Sequence, residues 1–375
     1  MWNSLKEVSP EETLNSRFPK VEASKANDII KPGTRKIIRL GRHAVIQGSS
    51  EMMPEIPSNS IDVIVTSPPY NVGKQYDPDG KFTDKLPLKE YLEFLGRVFL
   101  ELNRVLNPKG LFFLNIGDSA RDQGKSEAVA KQAVKAGFIR IQTAIWVKSL
   151  FGKGHYTPSG KSKRLNNVWE HIFIFAKTKN YEIDPRRIGI PYADKSNIGR
   201  YAKEDLRDPG DVWFVPYQIT TGQTIKKGHE APFPIGLPYL CIRLVPTAKY
   251  VLDPFLGTGS TLSAAEKLGL VGIGYELYPN IEVIKKRIFE TQLENPQFPL
   301  VTQLERIKNT GMTLLLKLLE NVAPNEKNEL WKSIPQIERK HFLWALKDLE
   351  LLELFIEQLP LSEKEKAMAE KLLQL

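Results

Sequence analysis

Short apolar runs alternate with helical patterns along most of this chain, and that alternation limits the fold more than any other feature. A β-branched run at 61–65 precedes a helical pattern at 87–106, where Tyr91, Leu95, Val98, Phe99, Leu102 and Val105 recur at helical spacing. Pro87 suits a first helical position, and Asn107-Pro108-Lys109-Gly110 ends the pattern. A strand at 111–116, a helix at 126–136 closed by Gly137 and a strand at 138–147 continue the rhythm. It resumes with strand 249–253, helix 260–268 closed by Gly269, strand 270–276 and helix 280–293. Strands alternating with helices predict an α/β fold with a parallel sheet covered on both faces.

The 375 residues exceed one average domain. Residues 1–36 are polar, are interrupted by Pro10, Pro19 and Pro32, and read as an N-terminal arm. Segments 37–147 and 229–298 carry the strand–helix rhythm and read as two halves of one domain. Between them, 148–228 is rich in Lys, Arg, Gly, Pro and Asn, with apolar islands at 168–176 and 212–216. After Pro296 the composition turns to Leu, Glu and Lys at helical spacing, so 299–375 is expected to be a small helical domain. Lys and Arg outnumber Asp and Glu by 53 to 44, a net charge of +9 that suits a polyanionic partner. The single cysteine, Cys241, excludes an intramolecular disulfide framework and a Cys-based zinc cluster, and suits a reducing compartment. Residues 1–30 lack a signal-type apolar run, and no run approaches the ~18 residues of a membrane span, so an intracellular protein is expected.

Two loops carry chemistry. Asp253-Pro254-Phe255-Leu256-Gly257-Thr258-Gly259-Ser260-Thr261 joins a predicted strand to a predicted helix. Gly257 and Gly259 permit a tight turn with close backbone approach to a ligand, and the helix start offers amides to a polar group. No Gly-Lys-Ser/Thr follows, so it is not a P-loop, and Leu262 stands where a third glycine would complete a dinucleotide fingerprint. The next strand ends at Glu276, placed to hold ribose hydroxyls. A plain strand–turn–helix is the competing reading. The second loop, Thr66-Ser67-Pro68-Pro69-Tyr70, ends the strand at 61–65, because two prolines cannot continue a central strand. The Ser67 hydroxyl and Pro68 carbonyl offer acceptors, and Tyr70 offers a flat face. An enzyme that extrudes a base needs those groups side by side. A strand end with Tyr70 filling core explains the same residues.

Thr66-Ser67-Pro68-Pro69-Tyr70-Asn71 resembles the catalytic motif of the bacterial DNA amino-methyltransferases that modify cytosine N4 or adenine N6. The 253–261 loop resembles their cofactor motif. His229-Glu230-Ala231-Pro232-Phe233-Pro234 is similar to the segment that closes over the methionine part of the cofactor. The catalytic motif comes first, an order similar to the family's permuted β class. The resemblance covers about residues 40–295. It implies a Rossmann-like S-adenosylmethionine-dependent methyltransferase sheet with circularly permuted motifs and a loop-rich target-recognition insertion at 148–228. Asp253, Phe255, Gly257, Gly259, Ser260, Thr261, Glu276, Ala231, Pro232 and Phe233 would bind S-adenosylmethionine. Ser67, Pro68, Pro69 and Tyr70 would form the catalytic loop, with Ser67 and the Pro68 carbonyl holding the target amine and Tyr70 stacked on the flipped base. Attack of the amine on the methyl group would be direct, so Cys241 need not be a nucleophile. Within the family a leading serine usually accompanies cytosine N4, and Asp or Asn accompanies adenine N6. Ser67 therefore points to cytosine, with adenine as the second reading. One departure is Ser49, which follows Gly48 where relatives commonly carry an Asp against the cofactor adenine.

Lys153, Lys161, Lys163, Arg164, Arg186, Arg187, Arg200 and Lys203 lie in the 148–228 stretch with Tyr156, Tyr181 and Tyr201. Basic residues interleaved with aromatics suit phosphate contact with double-stranded DNA; a solvated charged insertion is the alternative. The resemblance implies a cytoplasmic, nucleoid-associated bacterial enzyme, a cognate restriction endonuclease as partner, and a monomer or homodimer. A DNA-binding module without catalysis, and methylation of RNA or of a protein amide, are the competing functions. Tyr76-Asp77-Pro78-Asp79-Gly80 reads as a turn, because Leu88 stands where a calcium loop needs its Glu.

Overall fold

The computed structural model describes residues 26–290, apart from 32, 34, 72, 74–84, 119–121, 149–164, 166, 191, 193–194, 201–202 and 216–233, and beyond them only Glu363, Lys366 and Ala367. Lys153, Lys161, Lys163, Arg164, the turn at 76–80, the 229–233 segment and almost all of 299–375 lie outside the described residues. The chain divides into two compact units, Met1–Phe298 and Pro299–Leu375.

The described strands form one sheet. They are β1 (Ile37–Leu40), β2 (His43–Gln47), β3 (Ile61–Thr66), β4 (Leu106–Ile116), β5 (Ile139–Val147), β6 (Trp169–Ala176), β7 (Val212–Phe214), β8 (Tyr250–Asp253) and β9 (Val271–Glu276). Their order is β1-β2-β9-β8-β3-β4-β6-β5-β7. The central run β2-β9-β8-β3-β4 is parallel, as the alternation predicts for β3, β4, β8 and β9; the hairpin β1-β2 has no counterpart in the sequence reading. The flanks are not: β6 runs antiparallel to both β4 and β5. The cause is local. Residues 169–176, expected as an island in a loop region, are the central strand of that flank, and Ile172 to Ala176 are buried on both faces. Val212–Phe214 adds an edge strand parallel to β5.

Helices α1 (Leu88–Val105), α2 (Lys125–Lys135), α3 (Gly236–Arg243), α4 (Ser260–Lys267) and α5 (Ile281–Glu290) cover the sheet. Alternate residues of the strands divide the core. Ile64, Phe112 and Leu114 face Tyr91, Leu95, Phe99 and Leu102 of α1 and Val129 of α2. Val63, Val65, Leu111 and Phe113 belong with Leu237, Leu240 and Cys241 of α3 and Ala264 and Ala265 of α4. Helix α3 has no counterpart in the sequence reading. All eight of its residues are buried, so it shows no polar face to set a 3.6-residue period. Asn107 to Gly110 do not form a separate turn; β4 starts at Leu106 as α1 ends. Gly110 permits this, since a Cβ there would lie 2.5 Å from the Asp62 carbonyl oxygen.

The layering places the site. Strands β3 and β8 are parallel neighbours. The helix after β3, α1, packs on one face, and the helix after β8, α4, contributes to the other. The chain therefore leaves adjacent carboxyl ends in opposite directions, which is where open α/β sheets bind their ligands.

Candidate active site

The two loops singled out from sequence leave the carboxyl ends of β3 and β8, and one buried carboxylate ties them together. Asp253 is fully buried. Its Oδ1 accepts from the Thr66 hydroxyl at 2.6 Å and the Phe255 amide at 3.0 Å, and its Oδ2 accepts from the Thr261 hydroxyl at 2.6 Å. Thr66 heads the Ser-Pro-Pro-Tyr loop, and Thr261 lies in the first turn of α4. Burial pushes the Asp253 carboxyl up to about 6, against the opposing pull of the hydroxyls and the amide.

The glycine loop turns through left-handed backbone at Gly257 (φ +54°) and Gly259 (φ +89°). A Cβ at Gly257 would meet nothing within 4 Å among the described residues, whereas one at Gly259 would sit 3.1 Å from Ile284. Gly259 is needed for packing as well as for the turn. Gly257 leaves the loop open to an approaching ligand. Beside it, the buried Thr258 Oγ1 finds no hydrogen-bond partner among the described residues. Glu276, at the end of β9, accepts from the Gly257 amide at 2.8 Å and the Tyr278 amide at 3.2 Å, and burial raises its pKa. Phe255 is half-buried, its ring 5.9 Å from that of Phe94. Ser260 is buried and accepts from Arg287 Nε at 3.1 Å. An open depression lined by Gln47, Tyr278, Pro279, Asn280, Ile281 and Glu282 adjoins Glu276. Ser49 turns to its neighbour Glu51, donating at 3.1 Å to the carboxylate and accepting from its amide at 3.2 Å. An open glycine turn, an acidic strand end and an unpartnered buried hydroxyl fit a nucleoside bearing an amino-acid tail.

On the β3 side, Pro68 is buried and the Pro69 carbonyl accepts from the Tyr91 hydroxyl at 2.6 Å. Tyr70 is half-buried, and its hydroxyl donates to Glu170 at 2.7 Å and accepts from the Ser67 hydroxyl at 3.3 Å. Burial and the Glu170 charge hold the phenol well above its usual pKa, so it stays protonated. The Tyr70 carbonyl accepts from the buried Lys125 ammonium at 2.5 Å. Asn71 follows in left-handed backbone (φ +55°), its side chain bonded to both the amide and the carbonyl of Leu86.

Sequence reasoning named neither Glu170, Asn115, Lys125 nor Lys148. Glu170 and Asn115 did leave a signal: Asn115 interrupts the apolar run at 111–116, and Glu170 stands with His171 at the head of an apolar strand. Of the basic residues named for DNA, Arg200 and Lys203 are exposed. Arg186 is exposed and contacts Asp184 at 3.4 Å, whereas Arg187 donates to the Pro246 carbonyl at 2.9 Å. Cys241 is buried in α3, and burial pushes its thiol pKa up, which suits packing rather than nucleophilic chemistry. Among the described residues no helix is long and apolar enough to cross a membrane.

The chain is similar to known proteins. The N6/N4 methyltransferase family model, described as DNA methylase, matches residues 61–287. The type II methyltransferase M.BglII of Bacillus subtilis is 29% identical over 270 residues, covering 66% of this chain and 69% of its own length. The type II methyltransferase M.MthZI of Methanothermobacter thermautotrophicus is 30% identical over 285 residues, covering 66% of this chain and 77% of its own. Among solved structures, the PvuII DNA methyltransferase (cytosine-N4-specific) superposes with a TM-score of 0.51 at 20% identity, over 67% of this chain and 87% of that one, a likeness of fold. The family match spans both loops and every strand from β3 to β9, and with it the chain belongs to the N6/N4 family of S-adenosylmethionine-dependent DNA methylases.

Proposed function

We propose that this chain is a type II modification enzyme that methylates the N4 amine of cytosine in double-stranded DNA. The observation that carries the choice is Ser67, which heads the Pro-Pro loop and gives its proton to Tyr70, leaving its lone pairs to accept an amine N–H. S-adenosylmethionine supplies an electrophilic sulfonium methyl group. Gly257, Gly259, Ser260, Thr261, Phe255 and Glu276 would hold the cofactor; Ala231, Pro232 and Phe233, which lie outside the described residues, are assigned to its methionine end by their motif alone. Glu276, which accepts from the Gly257 amide, would hold the ribose hydroxyls. Asp253 acts through the loops it ties together. Ser67 Oγ and the Pro68 carbonyl accept from the target amine and favour the positive charge that develops on it. Tyr70 stacks on the extrahelical base and fixes its angle of approach. The exposed Arg186, Arg200 and Lys203 are assigned to DNA phosphates. A restriction endonuclease of matching specificity is the implied partner, because the relatives carry type II names.

Digestion of DNA methylated by the purified chain, followed by nucleoside mass spectrometry, is expected to yield N4-methylcytosine. N6-methyladenine alone would overturn the cytosine assignment in favour of the other amine known for the family. Methyl transfer to RNA or protein in place of DNA would overturn the substrate class.

A further inference from the structure

The contacts around Glu170 give the hydroxyls of the catalytic loop a direction. Glu170 lies on β6, and its side chain is only 12% exposed. Its Oε1 accepts from the Lys148 ammonium at 2.8 Å. Its Oε2 accepts from the Tyr70 hydroxyl at 2.7 Å and from Asn115 Nδ2 at 3.1 Å. The fold makes room for it: a Cβ at Gly117 would lie 2.8 Å from Glu170 Cγ. Both carboxylate oxygens thus meet donors only, and an ionised carboxylate can only accept. Tyr70 has one proton, and the ionised Glu170 at 2.7 Å takes it in preference to the neutral Asn115 Oδ1 at 3.5 Å. Its oxygen is then left to accept, which is how it meets Ser67 at 3.3 Å. Ser67 in turn gives its proton to Tyr70 and presents lone pairs alone. The direction of both hydroxyls follows from the charge at the far end of the chain.

We propose that Glu170 is a positioning residue for methyl transfer: through Tyr70 it fixes Ser67 as a pure hydrogen-bond acceptor for the target amine. This rests on the assignment of Ser67 and Tyr70 to the base site. Lys148 neutralises the buried carboxylate, and Asn115 holds it in plane; neither reaches the base in this scheme.

The substitution E170Q tests the direction with almost no change of shape. Its amide has one acceptor and one donor end. With the carbonyl towards Lys148, its NH2 faces Tyr70, which then turns its proton to Ser67, so that Ser67 accepts from Tyr70 and points its own proton at the target amine. With the carbonyl towards Tyr70, its NH2 faces the Lys148 ammonium. Either way a donor meets a donor or the acceptor is lost. E170Q is expected to lower kcat by about 10- to 100-fold, while KM for DNA and the cofactor Kd from calorimetry stay within about threefold. Y70F, which keeps the ring and removes the relay, is expected to lower kcat by about 10-fold, and adding E170Q to it changes little further. Removing the opposing ammonium with Lys148→Met lets the amide carbonyl turn to Tyr70, so E170Q/K148M is expected to regain part of the lost rate. A purely structural role would show no such rescue. Wild-type kcat in E170Q, multiplicative losses in E170Q/Y70F, or no rescue by K148M overturns the inference. Should E170Q lower the melting temperature markedly, Y70F decides alone, and an unchanged kcat counts against the relay. An active Y70A would instead sink the base-site assignment itself, so the two failures are distinguishable.

Discussion

Replacing Asp253 with alanine is expected to abolish cofactor binding and to destabilise the fold by about 2–4 kcal/mol, because two buried hydroxyls and an amide lose their acceptor at once. Thr66 and Thr261 are both fully buried, so water cannot take over. The isosteric Asp253→Asn separates charge from shape. The wild-type carboxyl is raised from 3.8 to about 6 in the folded protein, so the native state binds this proton more tightly than the unfolded chain does. The stability it contributes is full below pH 4 and is lost as pH rises through 6. About two pKa units correspond to roughly 3 kcal/mol at pH 7. D253N lacks that slope. Urea unfolding from pH 4.5 to 7.5 should show wild type losing stability relative to D253N as pH rises. D253N should still fail to bind S-adenosylmethionine tightly, since its NH2 cannot accept from Thr261. Parallel pH profiles for the two proteins would contradict the buried-charge account, and normal cofactor affinity in D253A would contradict its role as the tie between the loops.

Tyr70→Ala is expected to lower single-turnover methyl transfer by 100-fold or more while DNA affinity changes little. Base–aromatic stacking is worth about 1–3 kcal/mol, or about 5- to 150-fold, and the alanine also removes the hydroxyl that orients Ser67. The bulk of DNA affinity comes from phosphate contacts, which the variant leaves in place. A duplex with 2-aminopurine at the target position reads extrusion directly: fluorescence should rise with wild type and stay low with Y70A. A variant that transfers methyl at the wild-type rate would leave Tyr70 as a core residue.

Strands β3, β4, β8 and β9 are legible because each carries a short apolar run, and helix α1 because it has one apolar stripe. What escapes is whatever lacks a period or depends on distant pairing. Helix α3 is buried all round, and β6 sits in a polar stretch whose composition masks it. Asp253 looks like a ligand-facing acid from sequence, because its link to Thr66 joins residues 187 positions apart. Glu170 is 100 positions from Tyr70, and only the β4–β6 pairing brings it to the loop. Arg187 illustrates the reverse case: a basic residue in a basic stretch turns inward to cap a carbonyl. Motif residues are readable because their type and spacing encode local chemistry. Their supports are not, because support is set by which strands lie side by side.

The account stands on two loops forming one site for an extrahelical cytosine. A crystal structure with S-adenosylhomocysteine and a duplex carrying the target sequence tests it most directly. The account predicts a cytosine outside the helix, stacked on Tyr70, with its exocyclic amine within hydrogen-bond distance of Ser67 Oγ and the Pro68 carbonyl, and the nucleoside over Gly257 with its ribose on Glu276. A base left in the helix, or an extrahelical base bound away from Ser67 and Tyr70, would contradict it.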